Sequence, residues 1–402
     1  MTNTTYKQTA IGLIPSNWEV KKIKEIGDVS SGGTPDTTKV RYWNGDINWC
    51  TPTDITALKN KFLGNTKTKI TEEGLKSSSA KILPPFSIIV CTRATIGKAA
   101  INTVPMSTNQ GFKNIIPRNI DTDFLYYKIL SEEKGLMKIA NGSTFLEVSK
   151  TDFDNFHIAV PPLPEQQKIA SILSTWDVAI DNCKNIIEKI SYRNKGLEQQ
   201  FLSGKIRVKG FEKTQWHLKS VEEVAVFKNG KAHENCIDEE GDYFVVNSKF
   251  ISTQGKVAKA SNENLCPLFK SDITMVMSDI PNGKALAKCF YIPEDNKYTL
   301  NQRICALTAR KGINSKFLYY QMNRNNYYLA FNNGVSQTNL KKEEVLECPL
   351  LMPDVEEQIQ IVKLIDTATE ELNQYQQKLE ALQLQKKGLM QQLLTGKTRV
   401  KI

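Results

Sequence analysis

The chain states much of its sequence twice, at an offset of 192 residues: Lys195 to Lys209 returns as Lys387 to Lys401, with Gly196, Leu197, Gln199, Gln200, Gly204, Lys205, Arg207 and Val208 all repeated. Self-similarity at a fixed spacing constrains architecture more than any local motif. In the same register Glu165, Gln166 and Ile169 match Glu357, Gln358 and Ile361, Asn109-Gln110 recurs as Asn301-Gln302, and Asn141-Gly142 recurs as Asn333-Gly334. Slightly different offsets relate Phe124-Leu125-Tyr126-Tyr127 to Phe317-Leu318-Tyr319-Tyr320, Gly97-Lys98-Ala99 to Gly283-Lys284-Ala285, and Trp18 and Gly32 to Trp216 and Gly230. The drift marks loop insertions, and the order of units reads domain, helix, domain, helix: 1–160, 161–209, 210–352 and 353–402.

The helices are legible from their period. Ile169, Leu173, Trp176, Ile180, Cys183, Ile187, Ile190, Asn194, Leu197 and Phe201 are spaced alternately four and three apart, and Ile361, Ile365, Ala368, Leu372, Tyr375, Leu379, Leu382, Lys386, Leu389 and Leu393 repeat the pattern. A 3.5-residue period keeps an apolar seam facing a partner along a left-handed supercoil, and at about 1.5 Å per residue each seam runs roughly 48 Å. Pro164-Glu165 and Asp354 with Glu356 and Glu357 place starts and acidic groups at the helix N-termini, and Gly204 and Gly396 supply the stops. A whole domain separates the two helices in sequence, so antiparallel pairing is the economical arrangement. The chain is then quasi-circular, with pseudo-two-fold character and neighbouring termini. Asn194 and Lys386 interrupt both seams at one position, as register or partner contacts or as fraying ends. Gly196 and Gly388, each costing about 1 kcal/mol of helix propensity, suggest close backbone packing or simply the shared descent of the two repeats.

The domains read as α+β. Ser87 to Cys91, Asn114 to Ile116, Tyr243 to Val246 and Ile273 to Met277 are short β-type runs, whereas Thr122 to Ile139 and Asn314 to Phe331 read as helical. Polar and basic residues gather at recurring turns: Gly32, Gly33 and Thr34 with Lys228 and Lys231; Arg93 and Lys98 with Asn282 and Lys284; Asn109 and Gln110 with Asn301, Gln302 and Arg303. Arg, Lys, Asn and Gln suit base edges and phosphates, and glycine-turn amides approach phosphates closely.

Composition narrows the function. The chain has 402 residues, 40% of them hydrophobic, and a net charge of +10, divided as +5, +3, +2 and 0 over the four segments. A diffuse positive excess suits a polyanion. No apolar run approaches the roughly 18 residues of a membrane span, and Met1 to Thr9 lacks a signal-peptide core, so the expectation is a soluble, cytoplasmic protein. The eight cysteines are scattered singly with no metal-ligand spacing, as expected of buried reduced thiols. There is no phosphate loop, Gly-x-Gly-x-x-Gly, Asn-Pro-Pro-Tyr/Phe base pocket or His-Glu-x-x-His. Pro293-Glu294-Asp295 reads as an acidic turn.

The globular half, the segment Pro161-Pro162-Leu163-Pro164-Glu165-Gln166-Gln167 opening a long helix, the helix end Gly196 to Lys205 and the return of the whole pattern closely resemble the specificity subunit of type I restriction-modification systems. Ile11 to Trp18 is also similar to that family's start. The resemblance implies a non-catalytic DNA reader with no cofactor of its own. Each globular half is expected to be a target recognition domain for half of a bipartite, asymmetric sequence, with the helices setting the gap. It implies two modification subunits carrying S-adenosylmethionine, and restriction subunits using ATP and Mg2+. Pro353-Asp354-Val355-Glu356 departs from the first helix opening. The competing readings are a self-contained methyltransferase or nuclease, and a coiled-coil scaffold that does not touch DNA.

Overall fold

The structure, a computed structural model, describes residues 5–142, 146–281 and 283–402. It divides into two units, 1–187 with 375–402, and 188–374. Each unit is therefore built from two distant stretches of chain. The long helices Leu163–Leu202 and Val355–Leu393 each contribute to both units.

Both units share one core topology, to which the first adds the edge strand Phe62–Leu63. In the first, Gly27–Ser31, Phe112–Pro117, Ile88–Cys91, Ala99–Asn102 and Phe62–Leu63 lie side by side in one sheet, and Ser107–Thr108, Trp43–Cys50 and Lys69–Ile70 form a second. In the other unit the corresponding sheets run Ala225–Asn229, Ile304–Ala309, Ile273–Val276, Cys289–Tyr291, and Lys259–Ser261, Tyr243–Val246, Tyr298–Leu300. Each unit also pairs its entering strand with its leaving strand, Glu19–Lys22 with His157–Val160 and His217–Ser220 with Pro349–Met352. The expected aromatic helices are each broken in two, Thr122–Ser131 and Glu133–Ile139, Ser315–Met322 and Asn326–Leu329. Phe124, Tyr127, Phe317 and Tyr328 are buried from them into the cores.

The seams sit where the heptad spacing puts them. Ile169, Leu173, Ile180, Cys183, Ile190, Ile361, Ile365 and Leu393 are buried, and Trp176, Ile187, Leu372, Leu379 and Leu389 are half-buried. Within the first unit Asp177 pairs with Lys386 and the Cys183 thiol meets the Tyr375 carbonyl at 3.5 Å; within the second Arg193 meets Glu371 at 2.6 Å and Asn194 Nδ2 donates to Ala368 O at 2.5 Å. One partner's number falls as the other's rises, so the segments paired in each unit run antiparallel. Asn194 and Lys386 are thus both bonded across the seam, not frayed. Gly196 and Gly388 correct the expectation of close packing, because a Cβ on either would meet nothing within 4 Å.

Each helix ends in a left-handed glycine, Gly204 at φ +69° and Gly396 at φ +72°, a conformation that glycine adopts without a Cβ penalty. A Cβ on Gly204 would lie 3.4 Å from Trp216, and one on Gly396 would lie 2.4 Å from Pro15 and 3.3 Å from Trp18. The buried Glu165 carboxylate accepts from Trp18 Nε1 at 3.0 Å and from the Arg399 guanidinium at 2.7 and 2.8 Å. Glu357 repeats this with Trp216 at 2.9 Å and Arg207 at 2.9 and 2.8 Å. Burial pushes the Glu357 carboxyl up, but hydrogen bonds from Arg207 and Trp216 outweigh it and hold the group below its ordinary range. Each domain therefore closes on the end of the other domain's trailing helix. Tyr6 donates to Gly396 O at 3.2 Å, which brings the start of the chain against its end.

Candidate nucleic-acid interface

The candidate edge is built on a parallel strand pair. Ser107–Thr108 lies parallel to Trp43–Cys50, and Tyr298–Leu300 parallel to Tyr243–Val246, so in each unit two strands end at the same edge. The loop leaving that edge is pinned by its first amide: Asn109 N donates to Cys50 O at 3.0 Å, and Asn301 N to Val246 O at 3.2 Å. The glycine turn crosses it at a distance that only a missing side chain permits. A Cβ on Gly32 would lie 1.9 Å from Asn109 O, and one on Gly230 would lie 1.9 Å from Asn301 O. The third turn docks by Thr92 N on Gly111 O at 2.9 Å and by Met277 N on Arg303 O at 3.1 Å. Three turns remote in sequence thereby converge at one edge, twice.

Gly32 and Gly33 do not play the part expected of them. Both are buried, and their amides donate inward, Gly32 to Phe112 O at 3.5 Å and Gly33 to Thr108 O at 2.9 Å. They are unavailable to phosphates. Lys228 is half-buried and spends one of its three Nζ donors on Pro267 O at 2.5 Å. Asn109 spends its side-chain oxygen on the Gly111 amide at 2.9 Å, shaping the turn. Thr34 bonds Gln110, and Gln302 bonds Glu234, so each glutamine is tethered beside its glycine turn. Lys231 is exposed without a side-chain partner among the described residues, whereas Asn301 Oδ1 is buried without one. Asn282 lies outside the described residues. Lys284 is exposed at the end of a turn organised by Asp279, whose carboxylate accepts from the amides of Ile280, Ala285 and Leu286 at 2.7 to 3.0 Å. Lys98 lines a different cleft, of about 360 Å³, with Lys59, Lys61 and Lys184.

The structure adds residues that motif reading passed over. Arg93 pairs with Glu147 at 2.9 Å, Lys113 reaches the same carboxylate at 3.3 Å, and Arg93 Nε is buried without an acceptor. At the corresponding place in the second unit Ser278 Oγ donates to Asn339 Oδ1 at 2.5 Å, and Gln337 Nε2 to Ser278 Oγ at 2.8 Å. The 192-residue offset between Glu147 and Asn339 was the available signal. Lys249, Lys259 and Glu234 join Asn301, Gln302 and Arg303 around a cleft of about 620 Å³, and no motif marked the first three. A shallow basic cleft with forked and amide side chains is suited to hydrogen-bonding base edges and attracting phosphates.

The cysteines are held as free thiols. None is in a disulfide and seven of the eight are buried; desolvation pushes the thiols of Cys91 and Cys348 up to about 11, away from the reactive thiolate. Among the described residues no group of three or more His, Cys, Asp and Glu is placed to hold a metal ion, and no helix is long and apolar enough to cross a membrane.

The sequence model of the type I restriction modification DNA specificity domain matches residues 15–192 and again 213–383. The MjaIX specificity subunit of Methanocaldococcus jannaschii is 42% identical over 194 residues, 47% of this chain and 45% of that protein. The EcoR124I/EcoR124II specificity subunit of Escherichia coli is 30% identical over 202 residues, 48% of this chain and 49% of that one. The alignments to these two relatives thus span about half their length, while the MjaVIII specificity subunit of M. jannaschii aligns over 96% of this chain and 94% of its own at 22% identity. The fold is similar to the crystal structure of the type I restriction-modification system S subunit from M. genitalium, at TM-score 0.54 and 17% identity over 96% of this chain and 97% of that one. It is also similar to a chain from a study of complex assembly and conformational transition in the type I system, at TM-score 0.62 and 14% identity over 96% and 99%. With both domain copies matched and both trailing helices in place, the chain belongs to the type I restriction-modification DNA specificity family.

Proposed function

We propose that this chain is the non-catalytic, sequence-reading subunit of a type I restriction-modification complex. Each unit reads one half of a bipartite, asymmetric double-stranded DNA target, and the long helices dock modification subunits, through which restriction subunits are recruited in the cytoplasm. The methyl donor, ATP and Mg2+ belong to those partners. The observation that carries the reading is the duplicated strand-edge convergence, in which the turns at 32–34, 92–93 and 109–111, and again at 230–231, 277–278 and 301–303, are gathered by matching backbone bonds. An enzyme active site has no evident need of two such edges with different side chains, whereas a reader of two unlike half-sites does.

The test has two arms. Methylome sequencing of a host carrying this chain with its modification partner should show one bipartite motif, and exchanging residues 1–160 for another family member's should change one half of it. Binding should fall steeply with salt, as phosphate contacts release counterions. A change in both half-sites on exchanging one domain, or methyl transfer by the isolated chain, would refute the proposal.

A further inference from the structure

Among the described residues, eight of the nine arginines have a job inside the protein. Arg41, Arg93, Arg118, Arg193, Arg207 and Arg399 pair with carboxylates, and Arg310 and Arg324 donate to backbone carbonyls. Arg303 is exposed, and its guanidinium has no partner. Its backbone is nevertheless tightly specified. It sits at φ +65°, a left-handed conformation that is unfavourable for a residue with a Cβ. Met277 N holds its carbonyl at 3.1 Å, and the wholly buried start of the strand Ile304–Ala309 follows it at once. The fold sustains local strain to present a side chain that does nothing for the fold.

The first unit makes the contrast informative. Gly111 stands where the second unit has Arg303, and there the arginine comes from the adjoining turn as Arg93, its Cβ 3.7 Å from where a Gly111 Cβ would be. Arg93 is tied to Glu147, whereas the Arg303 guanidinium is tied to nothing among the described residues. We infer that Arg303 is a base-reading residue of the second half-site and that it reads guanine through the two forked donors of its guanidinium, while Arg93 serves chiefly to hold its own turn. This deepens the proposed function and rests on it. The chemistry selects guanine because its major-groove edge offers two acceptors, O6 and N7, where adenine offers one acceptor beside a donor. Lys249 and Lys259 in the same cleft suit the flanking phosphates, which need charge and not a fork.

The experiment uses the full chain with its modification subunits and duplexes carrying the mapped target, each base pair of the second half-site substituted in turn. That half-site is the one left unchanged when residues 1–160 are exchanged. Arg303→Gly removes the side chain and relieves the backbone strain, so folding is preserved, and Arg303→Lys keeps the charge but loses the fork. Both should lose discrimination at a single G·C pair by roughly 5- to 150-fold and leave the first half-site untouched, with Arg303→Lys keeping the wild-type salt slope. Uniform weakening across all duplexes with a salt slope lower by about one would assign Arg303 to a phosphate and overturn the inference, as would unchanged discrimination. If the wild-type complex itself marks no bipartite sequence, the DNA-reading proposal fails first, and that result is separate from any effect of Arg303.

Discussion

At the strand edge the two halves carry their guanidinium from different turns, Arg93 bound to Glu147 in one and Arg303 unbound in the other; at the helix ends they are nearly interchangeable. Glu165 and Glu357 each hold a tryptophan and an arginine in the same geometry. Gln166 and Gln358 each accept from a helix-capping residue's amide at 2.8 Å and donate to a proline carbonyl at 2.8 Å. Lys128 reaches Leu394 O, one residue past its helix, at 3.1 Å, and Gln321 reaches Leu202 O, the last carbonyl of the other helix, at 2.8 Å. Contacts that close a unit recur at matching positions, whereas at the edge Asn109-Gln110 recurs as Asn301-Gln302 but the charged side chains around it differ. The proposed reading of two unlike half-sites asks for one scaffold solution and two different surfaces.

The largest effect should come from breaking the repeated anchor. Glu165→Ala and Glu357→Ala each strand a partly buried guanidinium and an indole N–H, and removing one partner of a buried pair costs about 3–5 kcal/mol. The loss should be confined to the unit carrying the change, so urea denaturation followed by hydrogen exchange should show one unit melting before the other. A single, unshifted transition would mean that the anchors are not equivalent supports.

Next in size are the crossing glycines. Gly32→Ala and Gly230→Ala drive a Cβ to 1.9 Å from a backbone carbonyl and should each cost about 1–3 kcal/mol, with weakened recognition of one half-site only, measured by thermal melting and by binding to half-site-substituted duplexes. Equal effects on both half-sites would break the comparison.

Acid should sharpen it at one anchor. Because the folded Glu357 carboxyl lies below its unfolded value of about 4.3, its contribution is fully present above that pH and is lost as pH falls through the folded value. Glu357→Gln should therefore flatten the acid limb of the second unit's stability curve below about pH 4.3, read by denaturation at stepped pH; an unchanged limb would show that Arg207 and Trp216 do not hold the charge.

The smallest effect has the opposite sign. Gly196→Ala and Gly388→Ala face open space and should stabilise the helices by about 1 kcal/mol each, visible as a higher urea midpoint. A loss at either would restore the close packing that the repeat suggested.

How much was legible depends on what kind of interaction was read. The seam from Ile169 to Leu197 was legible because helix period and burial are local properties of the sequence. The convergence of Gly32, Arg93 and Asn109 was not, because those turns meet through backbone bonds across sheets whose strand order composition does not encode. Lys228 and Arg303 illustrate the limit together. Both are basic residues at recurring turns, yet one Nζ points to Pro267 O and the other side chain is free.

By itself the sequence determined the duplication, the two amphipathic helices with their glycine stops, the α+β character of the halves and the family. These rest on short-range periodicity and on self-similarity, which need no three-dimensional partner to be seen. Only the tertiary structure decided that Glu165 serves Arg399 and Trp18 while Glu357 serves Arg207 and Trp216, that Gly32 and Gly230 are spacers for a crossing chain, and which arginine at the strand edge remains free. Those outcomes depend on which buried polar groups find each other when distant segments pack, since a buried carboxylate or carbonyl must be satisfied by whatever donor the fold brings within reach.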